Sequence, residues 1–290
     1  MSKIKAILIS LRPKNWIKNG FLFIPLIFSG KLAYPGYLNL ELLAVIAFSF
    51  CSSAIYLFND IIDFEADKLH SKKSSRPIAK GQLSRTLAAI IGILLLVACL
   101  LFSSFFNKQL FIILLGYSVL NLAYSLYLKQ LVIIDVMTIA FNFELRIWAG
   151  SVVIGVLPSV WLQMMTFLLA FFLAFAKRRH ELSSLKQVAS KHRFVLSKYR
   201  IALVDQFMTL CAGLTIIAYA LYTVSSEATS RLGGKYLIYT FPFVVYGIFR
   251  YLYLVQVRKK GGDPVEVLLS DFPLLVNLIV WIATVFIILY

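Results

Sequence analysis

Glu41-Leu-Leu-Ala-Val-Ile-Ala-Phe-Ser-Phe-Cys-Ser-Ser-Ala-Ile-Tyr-Leu-Phe-Asn59-Asp60-Ile-Ile-Asp63-Phe-Glu65-Ala-Asp67 decides the fold. From 41 to 62 the stretch is close to the ~20 predominantly apolar residues that cross the hydrocarbon core of a bilayer. It then changes within one turn into an acidic segment. Unpaired backbone groups are not tolerated in lipid, and the run shows no alternation of apolar and polar residues, so it reads as a transmembrane helix and not as a barrel strand.

Working outward, similar runs occur at about 20 to 37, 86 to 106, 109 to 128, 131 to 154, 159 to 176, 201 to 224, 236 to 257 and 271 to 290. With the first run they predict an all-α integral membrane protein of about nine transmembrane helices around a central cavity open to the cytoplasmic face. The whole, 1–290, is expected to be a single transmembrane catalytic domain with active-site loops at about 63–85, 177–200 and 258–270. Composition agrees: 60% of the 290 residues are hydrophobic and 14% charged, and the mean hydropathy is +0.84, values that exclude an ordinary soluble domain. Cys51, Cys99 and Cys211 lie in apolar runs without paired spacing, so neither a disulfide framework nor a zinc site is expected. The first twenty residues lack the short apolar core and small-residue site of a removable signal peptide, and the first membrane helix is expected to act as its own insertion signal.

The formal charge of +16 follows topology. With the N-terminus inside, the N-terminal arm carries five bases, the loop after helix 2 six, the turn after helix 4 one, the loop after helix 6 eight and the loop after helix 8 three, against Lys31, Lys108, Arg231 and Lys235 outside. Every loop then obeys the positive-inside bias, which predicts a multi-pass protein of the cell (inner) membrane with its N-terminus and active site cytoplasmic. Bases distributed this way form no separate basic domain, so nucleic acid is not an expected partner.

Asn59, Asp60, Asp63 and Asp67 carry the strongest chemical signal. At 100° per residue Asn59, Asp63, Asp67 and Asp60 fall at roughly 0°, 40°, 80° and 100°, one helical face, with Glu65 near 240°. Carboxylates crowded together repel unless a cation sits among them, and hard oxygen ligands suit Mg2+, which takes a few carboxylates plus substrate phosphates. Asn59, Asp63 and Asp67 are the candidate metal ligands, and all four residues the candidate catalytic group. A solvated helix end balanced by the lysines beyond it is the plainer reading, and the shared face argues against it. Lys68, Lys72, Lys73, Arg76 and Lys80 follow directly, with Arg76 able to fork onto phosphate oxygens.

On helix 5, Asp135, Asn142 and Arg146 share one narrow face, with Glu144 opposite, and ionisable residues inside a membrane are functional candidates by default. A buried Asp135/Arg146 pair that fixes packing is the competing reading. At the end of helix 6, Lys177, Arg178 and Glu181 share a face suited to phosphate, and Arg179 reads as a membrane-surface charge. Tyr124, Ser125 and Lys129 offer hydroxyl and ammonium donors near the end of helix 4. His70, His180 and His192 show no metal-ligand grouping. Lys14 and Lys18 belong to the basic, amphipathic Arg12-Pro-Lys-Asn-Trp-Ile-Lys-Asn19, suited to an anionic lipid headgroup or to simple anchoring.

Asn59-Asp60-x-x-Asp63-x-x-x-Asp67 resembles the signature of the UbiA prenyltransferase superfamily, and the resemblance covers the whole chain. Within it the sequence is most similar to the branch that transfers phosphoribose to decaprenyl phosphate, through Arg12 to Asn19, Arg76-Pro-Ile-Ala, Tyr124-Ser125, Asp135 to Arg146, Ala149-Gly150, Lys177-Arg178-x-x-Glu181-Leu182 and Gly262-Asp263-Pro264. The superfamily's second aspartate-rich motif is missing, and Lys177-Arg178-x-x-Glu181 stands where helix 6 is expected to end.

The resemblance implies Mg2+ as cofactor and transfer of 5-phosphoribose from phosphoribosyl diphosphate (PRPP) to a polyprenyl phosphate, releasing diphosphate, as a step in making cell-envelope polysaccharide precursors. Lys73, Arg76, Lys177 and Arg178 would then hold the phosphates of PRPP, while Arg146, Lys129 or the N-terminal bases position the lipid phosphate. The bilayer is the remaining partner, and such a fold allows a homo-oligomer. A prenyltransferase using a prenyl diphosphate with an aromatic or other acceptor shares the aspartate site. A transporter of an anionic metabolite fits the polar stripe, but its site belongs at the midplane, away from these acids.

Overall fold

A computed structural model describes residues 2–69, 73–184, 194–225, 228 and 235–290. His70, Lys72, Lys186, Lys191, His192, Arg193 and Arg231 lie outside the described residues. Among those described, the regular structure is entirely helical.

The first expected crossing is not one helix. α1 (Lys3–Ser10) is capped by Ser2, whose hydroxyl accepts from the Lys5 amide at 3.3 Å. After it come a 3-10 segment (Pro13–Leu22), α2 (Phe23–Phe28) and a 3-10 turn (Lys31–Ala33). The interruptions have local causes. Gly30 and Gly36 take φ of +73° and +96°, left-handed values that end a helical turn.

The remaining expected crossings appear close to their sequence positions. They are α3 (Tyr37–Ile62), α5 (Arg85–Phe106), α6 (Lys108–Leu126), α7 (Ile134–Val153), α8 (Val160–Ser184), α9 (Ile201–Val224), α10 (Phe241–Gln256, entered through a 3-10 turn from Lys235) and α12 (Phe272–Leu289), with the short α4 (Phe64–Lys68) and α11 (Pro264–Ser270) between them. Eight helices among the described residues are long and apolar enough to cross a membrane, which makes this a multi-pass membrane protein. Large apolar side chains such as Leu94, Phe105, Ile112 and Ile287 stand on exposed faces, as expected where lipid and not water is the neighbour.

The chain divides into two compact units, Met1–Leu26 with Tyr34–Lys129 and Leu145–Leu157, and Ile27–Ala33 with Gln130–Glu144 and Pro158–Tyr290. In the first, α3 packs against α5 and α6 around Phe48, Cys51, Leu110, Leu114 and Ala149. In the second, α8 packs on α9, α9 on α10, and α10 on α12, around Phe172, Phe175, Leu196, Val204, Met208 and Val255. The three cysteines are free and buried, as the spacing predicts.

One glycine is required by a close approach. A Cβ on Gly150 of α7 would stand 2.1 Å from the Leu22 carbonyl oxygen and 2.7 Å from Glu41 Oε1. Only a residue without a side chain lets these backbones meet.

Candidate functional site

α3 ends at Ile62, and Asp63, at φ −85° and ψ 7°, joins it to α4. The expected continuous helix from 59 to 67 is therefore broken at its second acid, yet the helical ladder carries across the joint. The Asp63 amide donates to the Asn59 carbonyl at 2.9 Å and the Asp67 amide to the Asp63 carbonyl at 2.8 Å. Seven residues apart, Asp60 and Asp67 thus stay on one face, and both are buried. Arg76 Nη1 joins them, 2.9 Å from Asp60 Oδ1 and 2.5 Å from Asp67 Oδ2.

Four bases surround the three aspartates. Arg12 Nη2 also donates to Asp60 Oδ1, Lys73 Nζ lies 3.9 Å from Asp67 Oδ1, and Lys129, at the turn after α6, pairs with Asp63. Asn59 Nδ2 donates to Ser125 Oγ at 2.9 Å, tying α3 to the end of α6. Every carboxylate of the motif is thereby matched by a cation, and the structure brings the motif together with Lys73, Arg76 and Lys129. Glu65 stands apart with Lys68 at 3.5 Å, on the far side as its wheel position requires.

Arg12, expected only as one of the N-terminal bases suited to a lipid headgroup, stands on an aspartate of the motif instead. Its backbone adopts φ +53°, uncommon for a non-glycine residue, and its guanidinium lies 5.0 Å from the centre of the Tyr56 ring. Nothing in the spacing of Arg12 relative to Asp60, forty-eight residues away, reveals this pairing. Of the other N-terminal bases, Lys14 is exposed and Lys18 half-buried.

Arg146 does not pair with Asp135. Its Nε donates to Asn19 Oδ1 at 3.0 Å and its Nη2 to Tyr117 Oη at 3.4 Å, and its guanidinium lies 4.9 Å from the centre of the Phe48 ring. Asn19 in turn donates to Ser49 Oγ at 2.9 Å. Eleven residues of helix separate Asp135 from Arg146, about 16 Å of rise, so a shared face is not a contact. Asn142, between them on α7, is half-buried, as is Tyr124 on α6.

Asp135 belongs to a cluster in the second unit. Arg178 Nε donates to Asp135 Oδ2 and Arg178 Nη1 to Glu181 Oε2, both at 2.6 Å, with the Arg178 and Asp135 side chains 1% and 0% exposed. Tyr199 Oη donates to Asp135 Oδ1 at 2.9 Å and accepts from the Ile133 amide at 2.7 Å. Burial pushes the Tyr199 hydroxyl above its ordinary pKa, which keeps it a donor. Asp135 thus takes Arg178 as its buried partner and not Arg146, and Arg178, expected on phosphate, is itself held between Asp135 and Glu181. Lys177 is exposed on the same helix, which continues to Ser184 and does not stop at Glu181. Arg179 is no bare surface charge. Its Nε is 2.5 Å from Asp205 Oδ1 and its Nη1 donates to the Val255 carbonyl at 2.9 Å. His180 Nδ1 lies 3.2 Å from the Lys259 carbonyl oxygen.

Glu41 is a buried acid that sequence reasoning did not single out. It is fully buried on α3, with both carboxyl oxygens lacking a hydrogen-bond partner.

Similar proteins place this architecture. Decaprenyl-phosphate phosphoribosyltransferase of Mycolicibacterium smegmatis is 29% identical, over 97% of this chain and 92% of the relative. The protein of the same name from Corynebacterium glutamicum is 32% identical, over 94% and 83%. A solved UbiA homolog from Archaeoglobus fulgidus bound to GPP and Mg2+ superposes with a TM-score of 0.74 at 19% identity, covering 98% of this chain and 99% of that one, and the same homolog bound to DMAPP and Mg2+ gives 0.73. With eight helices among the described residues long and apolar enough to cross a membrane, the acidic motif at the end of α3 and a match of the UbiA prenyltransferase family profile to residues 22–272, the chain belongs to the UbiA prenyltransferase family of membrane transferases.

Proposed function

We propose that this protein transfers 5-phosphoribose from PRPP to the phosphate of a polyprenyl phosphate, releasing diphosphate, at the cytoplasmic face of the inner membrane. The observation that carries the reading is the site's charge balance, in which Arg12, Lys73, Arg76 and Lys129 gather around Asp60, Asp63 and Asp67. A donor with a diphosphate and a further phosphate needs both kinds of group, cations for its oxygens and carboxylates for a divalent ion. The relatives that match nearly the whole chain carry the name of this activity.

The residues present fit a divalent ion. No three His, Cys, Asp or Glu side chains converge as a ready-made cage among the described residues, and Mg2+ bound through one or two carboxylates plus substrate phosphates requires none. Asn59, Asp63 and Asp67 would hold the ion, with Asp60 assisting. When bound, it neutralises charge on the departing diphosphate. Lys73 and Arg76 then bind phosphate oxygens and orient C1 of the ribose. An oxygen of the lipid phosphate bonds to C1 as the C1–O bond to diphosphate breaks, with inversion at C1. The lipid phosphate is already anionic, so no strong general base is needed, and Lys129 serves to position it.

The test is transfer of radiolabel from ribose-labelled PRPP into organic-extractable lipid by purified protein with polyprenyl phosphate and Mg2+. Label is expected with wild type and is expected to fall at least a hundredfold with Asp63→Asn, about 3 kcal/mol of lost transition-state stabilisation, and to vanish with EDTA. A folded wild-type protein that transfers no label overturns the reading. The second reading, a prenyl diphosphate donor, is favoured by the A. fulgidus neighbours bound to DMAPP and GPP, and the same assay with labelled prenyl diphosphate checks it.

A further inference from the structure

Arg12 reaches Asp60 from an anchored segment. Ser53 Oγ donates to the Leu11 carbonyl at 2.9 Å and accepts from Trp16 Nε1 at 3.0 Å, fastening the chain on either side of Arg12 to α3, two turns before Asp60. Between these anchors the backbone of Arg12 turns into the left-handed region, at a cost of order 1 kcal/mol that the surrounding contacts must offset. The side chain lies near the Tyr56 ring with its Nη2 on Asp60 Oδ1, the oxygen that Arg76 also holds. Asp60 is 2% exposed, whereas Arg12 is 23% exposed, so the carboxylate is sealed in and the guanidinium is within reach of a soluble anion.

Two cations on one buried carboxylate oxygen constrain any third. Asp60 cannot be left bare, because an uncompensated buried carboxylate costs several kcal/mol. A divalent ion that approaches Asp60 and Asp67 therefore competes with guanidinium groups already there, and a displaced guanidinium needs a new anion. We propose that Arg12 is a phosphate-binding residue held in reserve on Asp60, which yields the carboxylate to the ion and takes an oxygen of the substrate's diphosphate, so that ion and diphosphate bind cooperatively. The inference rests on the proposed metal-diphosphate chemistry but not on the phosphoribosyl donor, since diphosphate is released under both transferase readings. Its planar fork suits a diphosphate oxygen pair better than an ammonium does.

The pairing leads to an unusual expectation, that removing a cation strengthens binding of one ligand and weakens the other. The measurement uses full-length protein in detergent. Mn2+ affinity is read from the EPR signal of free Mn2+ without diphosphate, and retention of 32P-labelled pyrophosphate is read at saturating Mn2+. Arg12→Gln is expected to bind Mn2+ alone at least threefold more tightly than wild type and to hold pyrophosphate at least fivefold more weakly, the lower end of ordinary coupling between sites. Unchanged or weaker Mn2+ binding, or undiminished pyrophosphate retention, overturns the proposal. Arg12→Lys keeps the charge on Asp60 without the fork. It is expected to bind Mn2+ as wild type does and pyrophosphate less tightly, and it carries the test if Arg12→Gln shows no cooperative melting, undiminished retention by it again overturning the proposal. Failure of label transfer from PRPP leaves both readouts intact, so the two hypotheses fail separately.

Discussion

At the scale of single residues, burial separates the polar groups that hold the protein together from those available for chemistry. Asp135 and Arg178 are sealed and satisfy each other with Tyr199 and Glu181. Breaking one side leaves the other charged and unpaired, a loss typically of about 3–5 kcal/mol. Asp135→Asn is therefore expected to lower the melting temperature sharply, and Asp135→Asn combined with Arg178→Gln to lower it by less than the two single changes added together, a non-additivity that a double-mutant cycle in detergent measures. The space at Gly150 makes a second prediction. Its Cβ would overlap the Leu22 carbonyl, so Gly150→Ala must push backbone apart and is expected to cost about 1–3 kcal/mol, seen as a lower unfolding midpoint. Spacing made the acids of α3 legible as one face, and Asp60, Asp67 and Arg76 meet accordingly. It could not show Arg12, because the partner of a carboxylate distant in sequence is chosen by packing.

Among the elements, helix ends carry much of the specificity. α12 begins at Asp271, whose Oδ1 accepts from the Leu274 amide at 3.0 Å while Arg250 grips both carboxylate oxygens at 3.0 and 2.9 Å. The hydrogen bond from Arg250, then the backbone amide of Leu274, hold the Asp271 carboxyl below its ordinary range against a smaller desolvation penalty. A depressed native pKa contributes stability above the unfolded value near 3.9, and that contribution is lost as pH falls through the lower native value. Wild type is thus expected to lose more stability below about pH 4 than Asp271→Asn, which keeps the cap but not the charge, when melting is followed against pH. The eight long apolar helices are readable one by one, since length and hydropathy report directly on the cost of leaving backbone or charge in lipid. The segment from 20 to 37 is the exception. Its apolar content matches a crossing, yet Gly30 and Gly36 divide it into short helical pieces, and a window average of hydropathy is blind to such interruptions.

On the scale of the whole molecule, charge and hydropathy together predict a sidedness. Bases crowd the ends of the chain's crossings where the acidic motif also lies, and the opposite loops hold few. In a protein with Cys51, Cys99 and Cys211 replaced by serine, a single cysteine at Gln82 is expected to react with an impermeant maleimide only from the cytoplasmic side, and one at Lys108 only from the other. Labelling of both from the same side overturns the orientation. That prediction follows from the distribution of Lys and Arg alone.

The sequence by itself determined the solvent of this protein, the positions of most of its helices and the acidic face at the end of α3, because each follows from local composition and a fixed helical period. Tertiary structure alone decided who neutralises whom: Arg12 and Arg76 on Asp60, Lys129 on Asp63, Arg178 on Asp135, and Asn19 and Tyr117 around Arg146. A buried charge takes whichever partner packing brings within a few ångströms, and residues that share a helical face can still be too far apart along it to touch.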